Sequence, residues 1–236
     1  MRCILLLTCV LFVGQLLAQD QSSDSLYTLR KEDPYGIGKW YMGREIAHVM
    51  GFHGVDWLER PEREQEEKTS KLLKNLGIQA GDVIADIGAG SGYHVFKIAP
   101  LAVQGKIYAV DIQDEMLVEL EHKKAAGPFD NVSIIKGTEQ SANLPPASLD
   151  KVLMVDVYHE FNFPREMMTS IVRSLKPNGK VYLIEYRLED EWVPIKPIHK
   201  MSKKQAVKEM AAVGLELERN MGNLPWQHCM VFRRLD

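Results

Sequence analysis

The sequence has few cysteines, no excess of either charge and no long apolar run. Of its three cysteines only Cys229 lies beyond the first ten residues, so residues 19–236 cannot form an intrachain disulfide, and we expect a buried, unreactive thiol. The 29 lysines and arginines nearly balance the 32 aspartates and glutamates, which argues against a nucleic-acid partner. The apolar run near the N-terminus is shorter than the roughly 20 residues that cross a bilayer. At 236 residues and 45% hydrophobic, the chain suits one globular domain.

The N-terminus has the pattern of a secretory signal peptide. Met1-Arg2 precedes an apolar stretch from Ile4 to Val13, and Leu16-Leu17-Ala18 places a small residue before Gln19. We therefore expect residues 1–18 to direct export to a periplasmic or membrane-associated location. Membrane attachment would come only from an uncleaved signal or from a lipid on Cys9, since Leu6-Leu7-Thr8-Cys9 loosely resembles a lipobox. The alternative is a mildly hydrophobic first helix of the fold.

Strand and helix signals alternate from residue 77 to residue 236. Helical segments separate most of the apolar stretches, and repeated β-α-β units imply a parallel sheet with helices on both faces. The last two stretches have no long helix between them and predict an antiparallel hairpin at the sheet edge. The expected fold is therefore α/β, a Rossmann-like doubly wound sheet of seven mostly parallel strands. The predicted strands are Val83–Ile87, Lys106–Val110, Val132–Ile135, Lys151–Val155, Val181–Glu185, Leu215–Glu218 and Gln227–Arg233.

Residues 19–76 are expected to form an N-terminal extension with cap helices. A short helix is predicted around Arg44–Met50, and a longer one begins at Pro61, continues to Leu76 and ends at Gly77. The segment from Trp40 to Arg63 is rich in aromatic, histidine and arginine side chains. It either closes over a binding pocket or packs as a structural cap with surface ion pairs, and the sequence leaves both alternatives open.

The loop after the first predicted strand of this domain carries the strongest functional signal. It reads Asp86-Ile87-Gly88-Ala89-Gly90-Ser91-Gly92, and glycines there let a ligand approach the main chain closely. A dinucleotide loop has the spacing G-x-G-x-x-G, whereas Tyr93 occupies the place of its third glycine. The Asp86 carboxylate would repel a pyrophosphate and suits a positively charged ligand. Asp111 ends the next strand, where a carboxylate can accept hydrogen bonds from ribose hydroxyls.

These motifs resemble those of the class I S-adenosylmethionine (SAM) dependent methyltransferases. Asp86-x-Gly88-x-Gly90-x-Gly92 is similar to their motif I, and Ala109-Val110-Asp111 to their second motif. Asp150-Lys151-Val152-Leu153-Met154 resembles their fourth strand, and Leu175-Lys176-Pro177-Asn178-Gly179-Lys180 the turn before the fifth, with Asn178 and Lys180 as departures. The resemblance covers roughly residues 72–234 and is specific to the superfamily, with the type 11 and ubiquinone/menaquinone methyltransferases fitting the later motifs best.

The resemblance implies SAM as the cofactor, bound within residues 77–236. It places Asp86 near the methionine moiety, Asp111 on the ribose and Ile112 against the adenine. The segment Gly137–Pro145 lacks the aspartate that the family often has near the adenine amino group, so Glu139 or Gln140 must substitute. The implied cofactor residues are Asp86, Gly88, Gly90, Gly92, Asp111, Ile112, Glu139 and Asp156.

The loop after the fourth strand, Asp156-Val157-Tyr158-His159-Glu160-Phe161, holds the candidate catalytic residues. Methyl transfer depends mostly on positioning, and it needs a general base only when the acceptor loses a proton. His159 is the expected base because an unperturbed imidazole titrates near pH ~6.5; alternatively it caps the next helix or orients the cofactor. Tyr158 is expected to line the cofactor pocket or to touch the substrate. The spacing of His48, His53 and Glu160 matches no standard metal site, so no metal is predicted.

The expected function is methyl transfer from SAM to a small-molecule acceptor. One alternative is a protein-L-isoaspartate-type carboxyl methyltransferase, because Gly90-Ser91-Gly92-Tyr93 is similar to the loop of that family. That family's upstream acceptor motif and its Asp-Gly motif after the third strand are absent from this sequence. The other alternative is a SAM- or nucleoside-binding protein without turnover, which the predicted export favours because SAM is made in the cytoplasm.

Overall fold

The protein is described here by a computed structural model covering residues 26–235. The predicted signal peptide, residues 1–18, lies outside the described residues, as do Cys3 and Cys9. Within residues 26–235, no helix combines the length and the apolar character needed to cross a bilayer.

Ten strands and seven α-helices make up this part of the chain. The strands are β1 (Tyr27–Leu29), β2 (Gly36–Tyr41), β3 (Arg44–Ala47), β4 (Val83–Ile87), β5 (Lys106–Asp111), β6 (Val132–Lys136), β7 (Leu149–Val155), β8 (Leu175–Tyr186), β9 (Leu215–Asn220) and β10 (Gln227–Arg234). The helices are α1 (Val55–Leu58), α2 (Arg63–Glu67), α3 (Thr69–Leu76), α4 (Val95–Ile98), α5 (Asp114–Ala125), α6 (Pro164–Ser174) and α7 (Lys203–Ala211).

The main sheet has seven strands in the order β6-β5-β4-β7-β8-β10-β9. The first five are parallel, and β10 is antiparallel to both of its neighbours, so the predicted fold class and its C-terminal edge hairpin are confirmed. Ile87 at the end of β4 pairs with Val110 of β5 and with Met154 of β7. This register brings the loops that follow these three strands to one edge of the sheet, where ligands bind in doubly wound folds.

Apolar side chains cover both faces of the sheet. Val152 and Met154 of β7 belong to the core on one face, whereas Leu153 between them belongs to the core on the other face. All three are fully buried. A strand that is buried on both faces reads as a continuous apolar run, which is why β4, β5 and β7 were recognisable in the sequence. The two cores hold these strands as a rigid platform for the loops at their ends.

The predicted helix around Arg44–Met50 is wrong, because this segment forms a strand of a separate three-stranded sheet, β1-β2-β3. Met42 and Gly43 connect β2 to β3 and both have positive φ angles, 49° and 96°. A two-residue turn of this kind matches the twist of paired strands and favours a hairpin. Ile46 and Ala47 are fully buried in this strand, which favours the hairpin over the predicted helix.

The predicted helix from Pro61 to Leu76 is broken at Lys68, whose φ angle is 52°. The break separates α2 from α3 and lets Glu67, the last residue of α2, reach a polar cluster. Its carboxylate accepts hydrogen bonds from the guanidinium groups of Arg60 (2.6 Å) and Arg63 (2.7 Å) and from the Tyr186 hydroxyl (2.9 Å). This buried cluster ties the N-terminal extension to the end of β8, a contact that local sequence cannot indicate.

Candidate functional site

The glycine loop after β4 is held against the end of β5 by main-chain hydrogen bonds. The amide groups of Gly88 and Ala89 donate to the Val110 carbonyl at 2.8 and 3.0 Å, and the Gly90 amide donates to Oδ2 of Asp111 at 2.9 Å. Gly88 and Gly90 have φ angles of 69° and 54°, which side chains disfavour. A Cβ on Gly88 would also collide with Val157. The loop therefore requires glycine for its shape.

Asp111 both builds this loop and faces the space beside it. Its Oδ1 accepts hydrogen bonds from the amides of Ile112 (2.8 Å) and Gln113 (3.0 Å), in addition to the bond from Gly90. A carboxylate offers about four acceptor positions, so one remains for a ligand hydroxyl. Burial raises the pKa of Asp111, although the three amide hydrogen bonds oppose that rise.

A cleft lies along this edge of the sheet, with apolar walls and a few polar groups. The structure brings six of the predicted cofactor residues to its walls: Gly88, Gly90, Asp111, Ile112, Glu139 and Asp156. Glu139 is held by a hydrogen bond from Nδ2 of Asn162 at 2.7 Å, and Thr138 beside it also lines the cleft. Gln140, the alternative to Glu139, lines a different surface depression. An apolar cleft with few convergent polar groups is typical of a small-molecule site.

The structure does not bring Asp86 or Gly92 to the walls of this cleft. Asp86 is only 3% exposed, and burial raises the pKa of its carboxyl to about 7, although Arg63 lowers it and Asp111 adds to the rise. Gly92 has a φ angle of 82°, and a Cβ there would collide with Phe96. Both residues therefore lie outside the cleft walls, whereas the motif resemblance implies direct contacts with the cofactor.

Asp156 occupies a strained position at the end of β7. Its φ angle is 50°, and Oδ2 accepts a hydrogen bond from Nε2 of Gln227 at 2.6 Å. Its Oδ1 is buried and has no hydrogen-bond partner among residues 26–235. Burial raises the pKa of this carboxyl well above its usual range, and the nearby Glu67 and Glu185 add to the rise. Asp156 is therefore a buried polar group at the cleft wall whose Oδ1 no described residue satisfies.

A second cavity adjoins the cleft. The two share six lining residues: Val49, Met50, Leu58, Val155, Asp156 and Glu160. The N-terminal extension contributes Tyr35, His48, Trp57 and Arg63 to the second cavity, and the segment after β8 contributes Pro194, Ile195, Lys196 and His199. The extension lines a cavity and also forms ion pairs such as that of Arg60 with Glu66, so it has features of both alternatives that the sequence left open.

His159 lies on the wall of the second cavity, in a 3-10 turn formed by Tyr158–Glu160. Its Nδ1 lies 2.7 Å from Oε2 of Glu185, and Oε1 of Glu185 accepts from the amides of Tyr158 and His159. Glu185 is an acceptor only, so Nδ1 of the neutral ring carries the proton and Nε2 is left with a lone pair. Burial opposes a charged ring, but the Glu185 carboxylate outweighs burial and raises the pKa of His159.

The side chain of Tyr158 lies outside both cavities. Its side chain is 1% exposed, and its hydroxyl donates to Oε2 of Glu209 at 2.7 Å. Glu209 is also paired with the buried guanidinium of Arg44, at 3.0 Å for each of two contacts. Tyr158 lines neither the cleft nor the second cavity. Its contacts are those of a structural residue that anchors β3 and α7 to this turn.

The sequence did not reveal Glu185, Tyr186 or His199 as site residues. Glu185 and Tyr186 end β8, the fifth strand of the predicted sheet, for which no site residue was named. His199 ends a 3-10 turn, Pro197–His199, in the irregular segment before α7. The signal that could have found Glu185 is an acid at the carboxyl end of a buried strand. No comparable pattern marks His199.

Comparison with known proteins shows which family this chain resembles. A family model described as "Methyltransferase domain" matches residues 78–229. The uncharacterized methyltransferase YdaC of Bacillus subtilis (strain 168) is 28% identical over 145 residues, which cover 61% of this chain and 77% of that protein. The uncharacterized methyltransferase-like C25B8.10 of Schizosaccharomyces pombe is 36% identical over 138 residues, or 57% of this chain. The match spans only 49% of the length of that second relative.

A solved structure shares the fold. The crystal structure of a SAM dependent methyltransferase from Aquifex aeolicus superposes with a TM-score of 0.73 at 22% identity, covering 78% of this chain and 98% of that chain. The matched region, residues 78–229, contains the glycine loop, Asp111 and the turn that carries His159. The chain therefore belongs to the methyltransferase-domain family, within the superfamily of class I SAM-dependent methyltransferases.

Proposed function

We propose that this protein transfers a methyl group from SAM in the first cleft to a small-molecule acceptor in the second cavity. The observation that carries the proposal is the shared wall of the two cavities, which contains Asp156 and Glu160. A donor and an acceptor that meet at such a wall need no large motion to come into contact. Positioning of this kind can supply most of the acceleration of a displacement reaction.

The residues of the first cleft fit SAM. One acceptor position of Asp111 is free for a ribose hydroxyl, Ile112 offers an apolar surface for the adenine, and the Gly88 and Gly90 backbone lets a ligand approach closely. The unpartnered Oδ1 of Asp156 suits a cationic ligand. Bound SAM supplies an electrophilic methyl group on a sulfonium. A carboxyl group at this wall that ionises when the sulfonium binds would favour the positively charged donor over its neutral product.

His159 is the group in the second cavity that is best placed to accept a proton from the acceptor. Glu185 accepts a hydrogen bond from Nδ1–H of His159, which leaves the Nε2 lone pair of the neutral ring as the basic site. The backbone amides of Tyr158 and His159 donate hydrogen bonds to the same carboxylate. These bonds fix its position and thereby the orientation of the ring. Acceptors with a hydroxyl, a thiol or an acidic C–H group would need this step, whereas an acceptor with a free lone pair would not.

Calorimetry tests cofactor binding directly. Wild type should bind SAM more tightly than NAD, and Asp111→Asn should weaken SAM binding by about tenfold or more, because the loop and the ribose contact share this carboxylate. A matched control is Asp114→Asn, because Asp114 begins α5 on the surface and pairs with Lys136. Tighter binding of NAD than of SAM would contradict the proposal.

Turnover is tested separately from binding. Incubation of the protein with methyl-labelled SAM and an extract of small molecules should label at least one acceptor. Binding of SAM without label transfer to any extract fraction would favour the alternative of a nucleoside-binding protein without turnover. Label transfer confined to damaged proteins that carry isoaspartate would favour the carboxyl methyltransferase alternative.

A further inference from the structure

Three side chains of the second cavity converge on one point. Nε2 of His159 lies 3.2 Å from Nδ1 of His199, and Oε1 of Glu160 lies 3.7 Å and 3.9 Å from these two nitrogens. The point equidistant from three atoms so spaced is about 2.1 Å from each of them. Zinc–nitrogen and zinc–oxygen bonds are about 2.0–2.2 Å long. We infer that His159, Glu160 and His199 form a binding site for a divalent transition-metal ion.

The donor set selects the class of metal. Two imidazole nitrogens and one carboxylate suit Zn²⁺ and its neighbours in the first transition row, whereas Mg²⁺ and Ca²⁺ prefer oxygen ligands alone. Three protein ligands also leave at least one coordination position open. Structural zinc sites normally have four protein ligands, so this geometry is that of a site that binds a further molecule.

Glu185 prepares His159 to be a metal ligand. Metal-binding histidines commonly donate their other ring N–H to a carboxylate, which fixes the tautomer and makes the free nitrogen a better donor. Oε2 of Glu185 lies 2.7 Å from Nδ1 of His159 and is fully buried. The remaining nitrogen, Nε2, is the one that faces His199 and Glu160. The Glu160 carboxylate, which accepts a hydrogen bond from the backbone of Met50, is held beside both rings.

Charge balance also favours a cation at this point. The side chains of Glu160 and Glu185 are 11% and 0% exposed, and burial of a carboxylate is costly unless a positive charge offsets it. An ion of charge +2 would offset both. The nearby guanidinium of Arg44 is already paired with Glu209 and does not contact Glu160 or Glu185 by hydrogen bonds.

The three ligands come from two distant segments. His159 and Glu160 follow β7, and His199 ends the 3-10 turn before α7, with its ring 5.3 Å from that of His159 at an interplanar angle of 84°. Forty residues separate the two histidines, which is why no short motif predicts the site. The set differs from the combination of His48, His53 and Glu160, whose spacing gave no such prediction.

The role of the ion rests on the proposed function. The site lies in the proposed acceptor cavity, and Glu160 belongs to the wall shared with the cofactor cleft. A bound hydroxyl or thiol of the acceptor would become more acidic at the open coordination position and release its proton to solvent. Its oxygen or sulfur would then form a bond to the methyl carbon while the methyl–sulfonium bond breaks and leaves its electron pair on the cofactor sulfur. In the metal-loaded protein Nε2 of His159 holds the ion, so the ion replaces the imidazole in activating the acceptor.

Zinc titration tests the site without SAM or an acceptor. Wild-type protein that has been dialysed against a chelator and is then titrated with Zn²⁺ should bind one ion per chain. His199→Ala should weaken zinc binding at least ~100-fold, and Glu185→Gln by ~10–100-fold, in line with the effects of groups that orient metal ligands. The control His122→Ala removes an exposed histidine of α5 and should leave zinc binding unchanged. His199 is half-buried in a loop, and circular dichroism would confirm that its variant is folded.

Substitution with Co²⁺ gives a second readout. Four-coordinate Co²⁺ bound by nitrogen and oxygen absorbs visible light strongly, and this absorption should be present in wild type and lost in His199→Ala. Failure of wild type to bind stoichiometric Zn²⁺, or equal binding by His199→Ala, would overturn the inference. A SAM titration in chelator distinguishes this failure from that of the proposed function: SAM binding without zinc binding rejects only the metal site. Zinc binding without SAM binding rejects only methyl transfer.

Discussion

The two cavities that meet at Asp156 and Glu160 differ in the groups that determine their shape. In the first cleft, the glycine loop is held by main-chain hydrogen bonds, whose acceptors are the Val110 carbonyl and the Asp111 carboxylate at the end of β5. The second cavity is made of side chains from three separated segments, held by buried pairs such as His159 with Glu185. Main-chain construction suits a site for an invariant cofactor. Side-chain construction allows one fold to take different acceptors.

The largest effect is expected for a variant of the second cavity, His159→Gln. His159→Gln should lower the rate of methyl transfer from labelled SAM by ~10²–10⁴-fold, because the activating nitrogen is removed. Its affinity for SAM should change little, since His159 does not line the first cleft. His228→Gln is the control, because His228 is also nearly buried and paired with a carboxylate, that of Glu189. An equal loss of SAM affinity and rate in His159→Gln would contradict the separation of the two cavities.

Asp86→Asn tests the burial of the Asp86 carboxyl outside the cleft walls. The folded-state pKa of Asp86 is about 7, above the ordinary 3.8, so this carboxyl lowers stability as pH rises from about 4 to about 7. Asp86→Asn removes that loss. Its free energy of unfolding should exceed that of wild type by up to about 4 kcal/mol above pH ~7, with the difference shrinking towards pH ~4.

Urea unfolding across this pH range measures the difference. Asp150→Asn is a control of opposite sign, because hydrogen bonds and charge from Lys176 outweigh burial and lower the pKa of Asp150. That variant should lose stability relative to wild type above pH ~4. A difference between wild type and Asp86→Asn that does not vary with pH would show that Asp86 is ionised in the folded protein throughout.

Gly88→Ala tests the main-chain construction of the first cleft. The variant places a side chain at a φ angle of 69° and against Val157, so the loop must shift. We expect a loss of about 1–3 kcal/mol in stability and a matching loss of SAM affinity. Gly214→Ala has a similar φ angle, 77°, with no atom within 4 Å of the added Cβ, and it lies after α7. Thermal unfolding and calorimetry should show a stability loss in both variants but weaker SAM binding in Gly88→Ala alone.

Tyr158→Phe should have the smallest effect. The variant deletes one buried hydrogen bond to Glu209, which leaves that carboxylate with its contacts to Arg44 and Gln205. We expect a stability loss of about 1–2 kcal/mol, measured by chemical denaturation, and no change in SAM affinity. A large loss of SAM affinity without loss of stability would show that Tyr158 contacts the cofactor, as expected from the sequence.

The sequence predicted the first cleft far better than the second cavity, for a physical reason. Glycines with positive φ and an acid at a strand end are local features, so Gly88, Gly90 and Asp111 could be recognised from a short segment. The pairing of His159 with Glu185 and His199 depends on how β7, β8 and the loop before α7 meet in space. The helix predicted around Arg44–Met50 was wrong for a similar reason, because the hairpin turn at Met42 and Gly43 and burial against other segments determine the structure there.

The burial of Cys229 could be predicted from its neighbours in the sequence alone. Cys229 was expected to be buried and unreactive, and it is fully buried on β10 with no disulfide partner among the described residues. Burial raises the pKa of its thiol to about 11, although a contact from Asn75 opposes the rise. One apolar strand among apolar neighbours was enough to predict this, because burial of a thiol needs no distant partner.

A crystal structure with S-adenosylhomocysteine, the product form of the cofactor, would show whether the cofactor occupies the first cleft and faces the second cavity. We expect the ribose on Asp111, the adenine against Ile112 and the sulfur at the wall that Asp156 and Glu160 share with the second cavity. Binding of the nucleoside elsewhere, or with its sulfur turned away from that shared wall, would contradict this expectation.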